Sequence, residues 1–166
     1  MEVPFMDLNR IYSSGHVFRW IKLRDDKYVI QNGSKALKVE QNRDRFDLQK
    51  CRLIMSCTEE EFYDTWFHYF DMTTDYGHPF FTLNRYDEEY LKTSSVRAGG
   101  CRVIQMDLFE AIISFIISAH YKSFPEACVT IEDLTRICGE KHIQSMRENG
   151  KISWYEFPTP EAILKH

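Results

Sequence analysis

Residues 108–119 form a long apolar stretch that constrains the fold of this chain more than any other segment. Asp107 directly before it is a favourable N-cap residue and Glu110 stands at position N3, so the pattern predicts a helix. Because this helix is apolar nearly all round, we expect it to be buried at the centre of a domain. Its polar residues Glu110, Ser114 and Ser118 share one narrow stripe, which either permits close helix packing or carries a function. The stretch is too short to span a bilayer, which takes about 20 residues.

The first third of the chain has the pattern of an antiparallel sheet. Polar and apolar residues alternate in three runs, which are Val17–Leu23, Lys27–Gln31 and Leu37–Glu40. Asn32-Gly33 lies between the second and third runs and is a strong hairpin signal, because both central residues of a type I′ turn have positive φ. Phe46–Leu48 and Arg52–Met55 are candidates for further strands of the same sheet.

A helix rich in aromatic side chains is predicted to follow this sheet. The hydroxyl of Thr58 can cap its first turn, and Glu61 three residues later completes the pattern of a capping box. Large aromatic residues then recur with helical spacing, namely Phe62, Tyr63, Trp66, Phe67 and Phe70. The favoured interpretation is a helix face packed on the sheet. The alternative, a platform on which bases stack, requires these rings to be exposed.

The remainder of the chain is predicted to consist of loops and helices. Residues 72–83 contain glycine and proline and indicate a loop, and a short helix is expected at about 84–93. A flexible segment with Ser94 and Ser95 follows, so we place a subdomain boundary near Lys92–Arg97. Further on, a helix is predicted from about Pro125 to Cys138, with Gly139 as its C′ residue, and a last short helix is expected near the end of the chain.

Charge and cysteine content restrict the environment and the partners. The 166 residues carry a formal net charge of −4, which argues against strong nucleic-acid binding by this chain alone unless basic residues form a local face. One basic run is available, and it consists of Lys35, Lys38, Arg43 and Arg45. The odd number of cysteines, the absence of a C-x-x-C pair and the absence of a signal peptide predict a reduced, cytoplasmic environment with no membrane partner.

Several segments in a fixed order resemble one enzyme family. Ser14–Trp20 reads S-G-H-V-F-R-W, where the family has S-G-Q-x-F-R-W. Tyr69–Gly77 is similar to a helix end Y-F-D-L with D-Y-G after it, and Arg102–Ala119 is similar to R-I-L-x-Q-D-P-F-E-x-L-I-S-F-I-I-S-A. Tyr155–Glu161 differs from Y-A-F-P-T-P-E only at Glu156. Together these segments resemble the N-terminal half of the bacterial-type 8-oxoguanine DNA glycosylases, enzymes of base-excision repair that also cleave the strand as AP lyases.

The resemblance implies an α+β fold and a partner. Residues 1–95 would form a TBP-like domain with an antiparallel sheet, and residues 96–166 would begin an all-helical domain. Duplex DNA containing oxidised guanine would be the substrate, and a location at the nucleoid would follow if the chain is active. Gly15 matches the family glycine whose carbonyl accepts the N7 hydrogen that only 8-oxoguanine carries. From the residues alone, the favoured interpretation of Gly15 is a bend at the entry of a strand, which needs no side chain.

One departure from the family falls at the DNA-reading position. The family has Asn-Asn after the helix S-F-I-I-S-A, and this chain has His120 and Tyr121, followed by Lys122. His120 could donate to a base edge, Tyr121 could insert into the stack and Lys122 could bind a phosphate. The other interpretation is a loop that has drifted in a chain no longer used for repair.

The chemistry of base excision is not found in the sequence. The family's nucleophilic lysine and its aspartate lie in and after a helix-hairpin-helix of the type L-P-G-[IV]-G-x-K, and no such segment occurs here. We therefore expect no catalytic residue in this chain, and we expect neither a cofactor nor a metal site. Two hypotheses follow: an N-terminal portion of a glycosylase whose helical half is removed or supplied by a second chain, or a diverged non-enzymatic module that binds DNA or a protein.

Overall fold

The computed structural model describes residues 1–44, 47–78, 82, 89–146 and 150–166. Four strands follow one another in the sheet in chain order, and they are β1 (Trp20–Arg24), β2 (Lys27–Asn32), β3 (Lys35–Asp44) and β4 (Asp47–Met55). In the antiparallel pair β3–β4, Val39 lies opposite Met55 and Gln41 opposite Leu53. Consecutive strands are neighbours because the turns between them are short. The predicted antiparallel sheet and the α+β class are confirmed.

The predicted hairpin forms one residue later than its signal suggests. Strand β2 includes Asn32, and β3 begins at Lys35. The turn therefore consists of Gly33 and Ser34, and Gly33 has a φ of 55°. The first strand begins at Trp20 instead of Val17, and the candidate strands at 46–48 and 52–55 belong to the single strand β4, with residue 46 outside the described part.

The aromatic helix, α2, is built from three consecutive segments. Glu59–Glu61 is α-helical, Phe62–Trp66 is a π-helical turn and Phe67–Tyr69 is α-helical again. The Thr58 hydroxyl accepts a hydrogen bond from the Glu61 amide at 3.1 Å, which confirms the predicted cap. The reciprocal half of the capping box is wrong, because the Glu61 carboxylate accepts a hydrogen bond from the Trp66 indole at 2.9 Å.

The aromatic side chains of α2 form a packed face. Phe62, Trp66 and Phe70 are buried, whereas Tyr63 on the opposite side is 59% exposed. Burial of this face is what the favoured interpretation predicts, and rings that are fully covered cannot stack on bases. The interpretation as a stacking platform is therefore wrong for these buried rings.

Five further helices complete the described part of the chain. They are α1 (Leu8–Ser13), α3 (Glu89–Ala98), α4 (Leu108–Ser118), α5 (Phe124–Cys138) and α6 (Pro160–Ile163). The segment with Ser94 and Ser95 is helical, contrary to the prediction of flexibility, and the Ser95 hydroxyl donates to the Lys92 carbonyl within the same helix at 2.9 Å. Residues 79–81 and 83–88, which contain parts of the predicted loop and of the predicted helix 84–93, lie outside the described residues.

The chain divides into two compact units. Unit 1 consists of Met1–Val17, Leu23–Lys27 and Val39–Gln105, and unit 2 consists of Phe18–Lys22, Tyr28–Lys38 and Met106–His166. Fully buried side chains in the core of unit 1 include Leu8, Ile11, Val39, Trp66 and Phe70. In unit 2 they include Tyr28, Ile30, Leu37, Ala127 and Ile131. The division of the family domains at residues 95 and 96 stays a prediction.

Unit 2 contains a second, two-stranded sheet that the sequence analysis did not predict. Strands β5 (Lys141–Met146) and β6 (Gly150–Tyr155) pair antiparallel, with His142 opposite Trp154. The available signal was Asn149-Gly150, the same dipeptide that indicated the first hairpin. Gly139 ends α5 as predicted, but its backbone is extended and not left-handed. Glycine is required there because a Cβ would lie 2.0 Å from the Glu156 carbonyl oxygen.

The burial of helix α4 is the reverse of the prediction. Glu110 and Ser114, from its polar stripe, are buried, and Phe18 packs edge-on against Phe115 at a centroid distance of 5.2 Å. Four apolar side chains with helical spacing are about half exposed or more, and we call them the apolar face of α4: Leu108, Ile112, Phe115 and Ile116. The prediction is wrong because an apolar pattern identifies side chains that favour burial, whereas the described residues cover this face only in part. None of the described helices is long and apolar enough to cross a membrane.

Candidate functional site

Gly15 lies in a tight turn between helix α1 and the buried segment 17–19. The Ser14 amide and hydroxyl both donate to the Ile11 carbonyl, at 3.2 and 2.6 Å, which closes the helix end. Gly15 then takes a φ of 82°, a left-handed conformation that costs other residues about 1–2 kcal/mol. A Cβ at this position would have no atom within 4 Å, so the glycine serves the backbone conformation and not a close approach. The interpretation as a strand-entry bend is wrong, since β1 begins only at Trp20.

His16 beside Gly15 has unused hydrogen-bonding capacity. Its Nδ1 contacts the Ser14 hydroxyl, and its Nε2 is buried with no hydrogen-bond partner in the described part of the protein. Burial lowers the pKa of His16, and the backbone carbonyl of Arg102 partly opposes this effect. The ring is half-buried, and its lowered pKa favours the neutral imidazole.

The family-like residues Tyr76 and Arg102 in unit 1 hold the backbone together. The Arg102 guanidinium donates to three carbonyls, those of Pro4, Phe5 and Asp71, at 3.0–3.2 Å. Its Cζ lies 4.6 Å from the centroid of the Tyr76 ring, and the Tyr76 hydroxyl donates to the Asp71 carboxylate at 2.7 Å. These contacts give both residues a structural role, which the sequence analysis did not assign.

Arg19 has a comparable anchoring role in unit 2. Its Nη2 donates to the Gln31 side chain at 2.5 Å and to the Tyr155 carbonyl, and its Nε lies 3.3 Å from the Glu132 carboxylate. The guanidinium is almost completely buried, and its Nη1 has no hydrogen-bond partner among the residues with described positions. Five donors on a planar group allow one side chain to join several segments in this way.

Glu110 is a buried carboxyl group in the same unit. Only 6% of the residue is exposed, and burial raises its pKa to about 7. The positive charge of Arg19 opposes this rise, whereas the negative charges of Asp107, Glu132 and Glu156 add to it. One turn further along, the buried Ser114 hydroxyl lacks a hydrogen-bond partner in the part of the chain that is described. The polar stripe is thus the packed side of helix α4, as the interpretation of close helix packing requires.

His120, Tyr121 and Lys122 follow the last turn of α4 and precede α5, and all three are exposed. The His120 Nδ1 lies 2.8 Å from the Ile116 carbonyl oxygen, which holds the imidazole against its own helix. The Tyr121 hydroxyl accepts a hydrogen bond from the Thr130 hydroxyl of α5 at 2.8 Å. All three side chains remain exposed to solvent alongside these contacts.

Other candidates from the sequence are not brought together. Lys38 of the basic run is buried while Lys35 is partly exposed, and the side chains of Arg43 and Arg45 lie outside the described part, so the described residues do not show the predicted basic face. Lys141, Lys151 and Lys165 are exposed on the surface of unit 2. None of these lysines has the buried environment that turns an amine into a nucleophile at neutral pH.

The fold is shared with solved DNA glycosylases. The 8-oxoguanine glycosylase/lyase of Clostridium acetobutylicum in its apo-form has 28% identity and a TM-score of 0.81, over 99% of this chain and 53% of that chain. The same enzyme in complex with dsDNA containing cytosine opposite 8-oxoG has 29% identity and a TM-score of 0.79, over 96% and 50%. A 3-methyladenine DNA glycosylase from Archaeoglobus fulgidus, at 15% identity and a TM-score of 0.59, shares the fold alone. The architecture is therefore of the DNA glycosylase class.

The family follows from the sequence match. The model of the 8-oxoguanine DNA glycosylase N-terminal domain matches residues 2–112, about two thirds of the chain, and the chain belongs to this family. The resemblance predicted from the sequence motifs is confirmed. The chain spans about half the length of the 8-oxoguanine glycosylase structures that it matches. No curated protein sequence matches it significantly.

Proposed function

We propose that this chain is the damage-recognising N-terminal part of an 8-oxoguanine DNA glycosylase/lyase that acts in base-excision repair. The observation that carries the proposal is the match of residues 2–112 to the N-terminal domain of that family. Similarity over nearly the whole chain to an enzyme solved with dsDNA containing 8-oxoG supports it. Oxidised guanine in duplex DNA is then the ligand of the complete protein.

Gly15 is the proposed contact with the damaged base. Its carbonyl accepts the N7–H of 8-oxoguanine, whereas guanine presents a lone pair at N7 and would repel the same oxygen. An unmatched polar pair of this kind costs about 1–3 kcal/mol when it is buried. The left-handed φ of 82° supports the proposal, since a turn held in one conformation also fixes the direction of its carbonyl.

The loop His120–Lys122 is the proposed DNA contact of unit 2. Lys122 binds a phosphate, His120 donates to a base edge and Tyr121 enters the space that a flipped nucleotide leaves. The exposure of all three residues supports this assignment, because side chains that insert into DNA must be free of the protein core. Since two amides of the family are replaced here, we expect the preference for cytosine opposite the lesion to be weaker than in the family.

The exposed apolar face of α4 favours an additional partner. Four large apolar side chains with helical spacing are unusual on the surface of an independent protein. We propose that helices corresponding to the other half of the related glycosylases cover this face and supply the catalytic lysine and aspartate, either from further residues or from a second chain. If these helices have no counterpart, the same face makes the chain a protein-binding module, which is the second candidate function.

Two measurements on residues 1–166 test the proposal. Fluorescence anisotropy should show at least about fivefold tighter binding to an 8-oxoguanine duplex than to the matched guanine duplex, from the energy of one buried polar mismatch. Lys122→Ala should weaken binding and lower the salt slope by about one, while Lys165→Ala, which removes an exposed lysine elsewhere, should not. Equal affinity for both duplexes would refute damage recognition by this chain, and no effect of Lys122→Ala would refute the proposed phosphate contact.

A trapping experiment tests whether the nucleophilic amine lies outside this chain. Borohydride reduction of a mixture with 8-oxoguanine duplex should give no covalent adduct, because a Schiff base requires an activated amine. A trapped adduct that maps to Lys141, Lys151 or Lys165 would show that the nucleophile lies in this chain and would overturn the proposal that other helices supply it.

A further inference from the structure

Glu140, His142 and Glu156 form a cluster at the open end of the β5–β6 hairpin in unit 2. Each offers one ligand atom, and these three atoms lie within 4.8 Å of one another. The His142 Nε2 is 2.8 Å from the Glu156 carboxylate oxygen. The sequence analysis did not find this cluster, because His142 and Glu156 are far apart along the chain and meet only through strand pairing.

The backbone brings the two carboxylates to the same end of the hairpin. The pairs His142–Trp154 and Lys141–Tyr155 are the last ones in the ladder. Beyond them, the Glu156 amide donates to the Glu140 carbonyl at 2.8 Å, so the two glutamates face each other directly. The hairpin end also abuts the end of helix α5, where only glycine fits at position 139. Opposed residues of an antiparallel pair have Cβ atoms about 5 Å apart, within reach of one ion.

The His142 ring is held in its orientation by the Trp154 indole. Its ring stacks on the Trp154 indole with 5.6 Å between centroids and an interplanar angle of 29°. Trp154 is itself buried, and its Nε1 donates to the Gly33 carbonyl at 3.0 Å. A ligand histidine supported in this way loses little side-chain freedom when it binds an ion.

One imidazole and two carboxylates are a ligand set suited to a divalent transition metal. Nitrogen and oxygen ligands bind Zn²⁺ at about 2.0–2.2 Å, which places two ligands of a tetrahedral ion about 3.3 Å apart. The hydrogen-bonded pair His142–Glu156 must therefore open by only about half an ångström to admit an ion. Two carboxylates also balance the charge of a divalent cation, and partial exposure of His142 and Glu156 leaves a path for its entry.

We propose that Glu140, His142 and Glu156 bind a divalent transition metal ion such as Zn²⁺, with water in the remaining coordination position. On binding, the Nε2–H···O hydrogen bond of the pair is replaced by metal–nitrogen and metal–oxygen bonds, and the Nε2 proton moves to Nδ1 or to solvent. The ion would link the two strands of the hairpin. This inference is independent of the proposed DNA-repair function.

Calorimetric titration of EDTA-treated residues 1–166 with ZnCl2 tests the proposal. One saturable site is expected, with at least tenfold weaker affinity in Glu140→Gln and His142→Ala. His68→Ala removes an exposed histidine in unit 1 and serves as the matched control, with no change in affinity. Zn²⁺ should raise the Tm of the wild type but not that of Glu140→Gln, a conservative change at an exposed residue that leaves the fold intact.

Cobalt spectroscopy separates this site from binding by cysteine. With CoCl2 the wild type should show d–d absorption without the charge-transfer bands of a cobalt–thiolate bond. Three results would overturn the proposal: no saturable binding, unchanged affinity in both His142→Ala and Glu140→Gln, or thiolate bands that account for the bound ion.

Discussion

Replacing Glu110 by glutamine removes one ionisable group from the packed side of helix α4. Burial raises the pKa of this carboxyl from 4.5 to about 7 in the folded chain. The folded state therefore binds more protons than the unfolded state between these two values, and stability falls as the pH rises through this interval. At about 1.4 kcal/mol per pKa unit, this amounts to about 3 kcal/mol, a large share of the stability of a small domain.

Urea unfolding followed by far-UV circular dichroism, at several pH values and in the presence of EDTA, measures the effect. The difference in unfolding free energy between the wild type and Glu110→Gln isolates the effect of Glu110, because the contributions of the other titrating groups, including His16, cancel. At pH 4.5 this difference should be small, and by pH 8 the variant should have gained about 3 kcal/mol relative to the wild type. Glu126→Gln removes an exposed carboxylate from α5 and should show no comparable dependence on pH.

The alternative to a Glu110 whose pKa is raised by burial is a Glu110 that is ionised and paired with Arg19. In that case the carboxylate contributes stability at high pH, and Glu110→Gln is less stable than the wild type at pH 8, since it leaves Glu132 as the remaining carboxylate partner of the buried Arg19 guanidinium. A variant that loses stability at pH 8, or that follows the wild-type pH profile, would refute the reasoning from burial.

Three further comparisons test the packing. In a urea titration, Trp66→Ala should destabilise unit 1 by about 3–5 kcal/mol because the indole is fully buried. Tyr63→Ala, on the exposed side of the same helix, should cost less than about 1 kcal/mol. Similar losses of stability in both variants would contradict the burial of Trp66. Gly139→Ala should lower the Tm more than Gly15→Ala. A Cβ at position 139 would meet two backbone oxygens at 2.0 and 2.5 Å, whereas a Cβ at position 15 would meet none. The reverse order of Tm values in calorimetry would contradict the close contact at position 139. Ile116→Glu should leave the Tm nearly unchanged and reduce self-association in light scattering, because Ile116 is 53% exposed; a strongly lowered Tm would mean that the apolar face is covered.

Local signals predicted the elements whose determinants are close together in sequence. The Thr58 and Asp107 side chains cap their helices through hydrogen bonds to amides only two or three residues away. The Gly33 turn similarly depends on one backbone conformation. Such features need no knowledge of the rest of the fold, which is why propensity and spacing were sufficient.

Features that depend on which distant part of the chain packs or pairs with a segment were not predicted. The polar residue Glu110 was expected at the first turn of an otherwise buried helix, and it is instead the buried residue while Ile112 is exposed. Which side of α4 is covered depends on the elements present, and no periodicity in the helix contains that information. The cluster at His142 was missed for a similar reason, since strand register and not spacing brings its members together.

The segments shared with the family explain its fold better than its activity. Arg19 and Arg102 are buried and donate to several backbone and side-chain acceptors, so replacing either would leave buried polar groups unpaired. The residues His120 and Tyr121 are exposed, and they are among the positions where the chain departs from the family motifs. A TM-score of 0.81 at 28% identity shows that the fold is shared. Under the function that we propose, the lesion that is recognised would be determined by Gly15, by the 120–122 loop and by helices that cover α4.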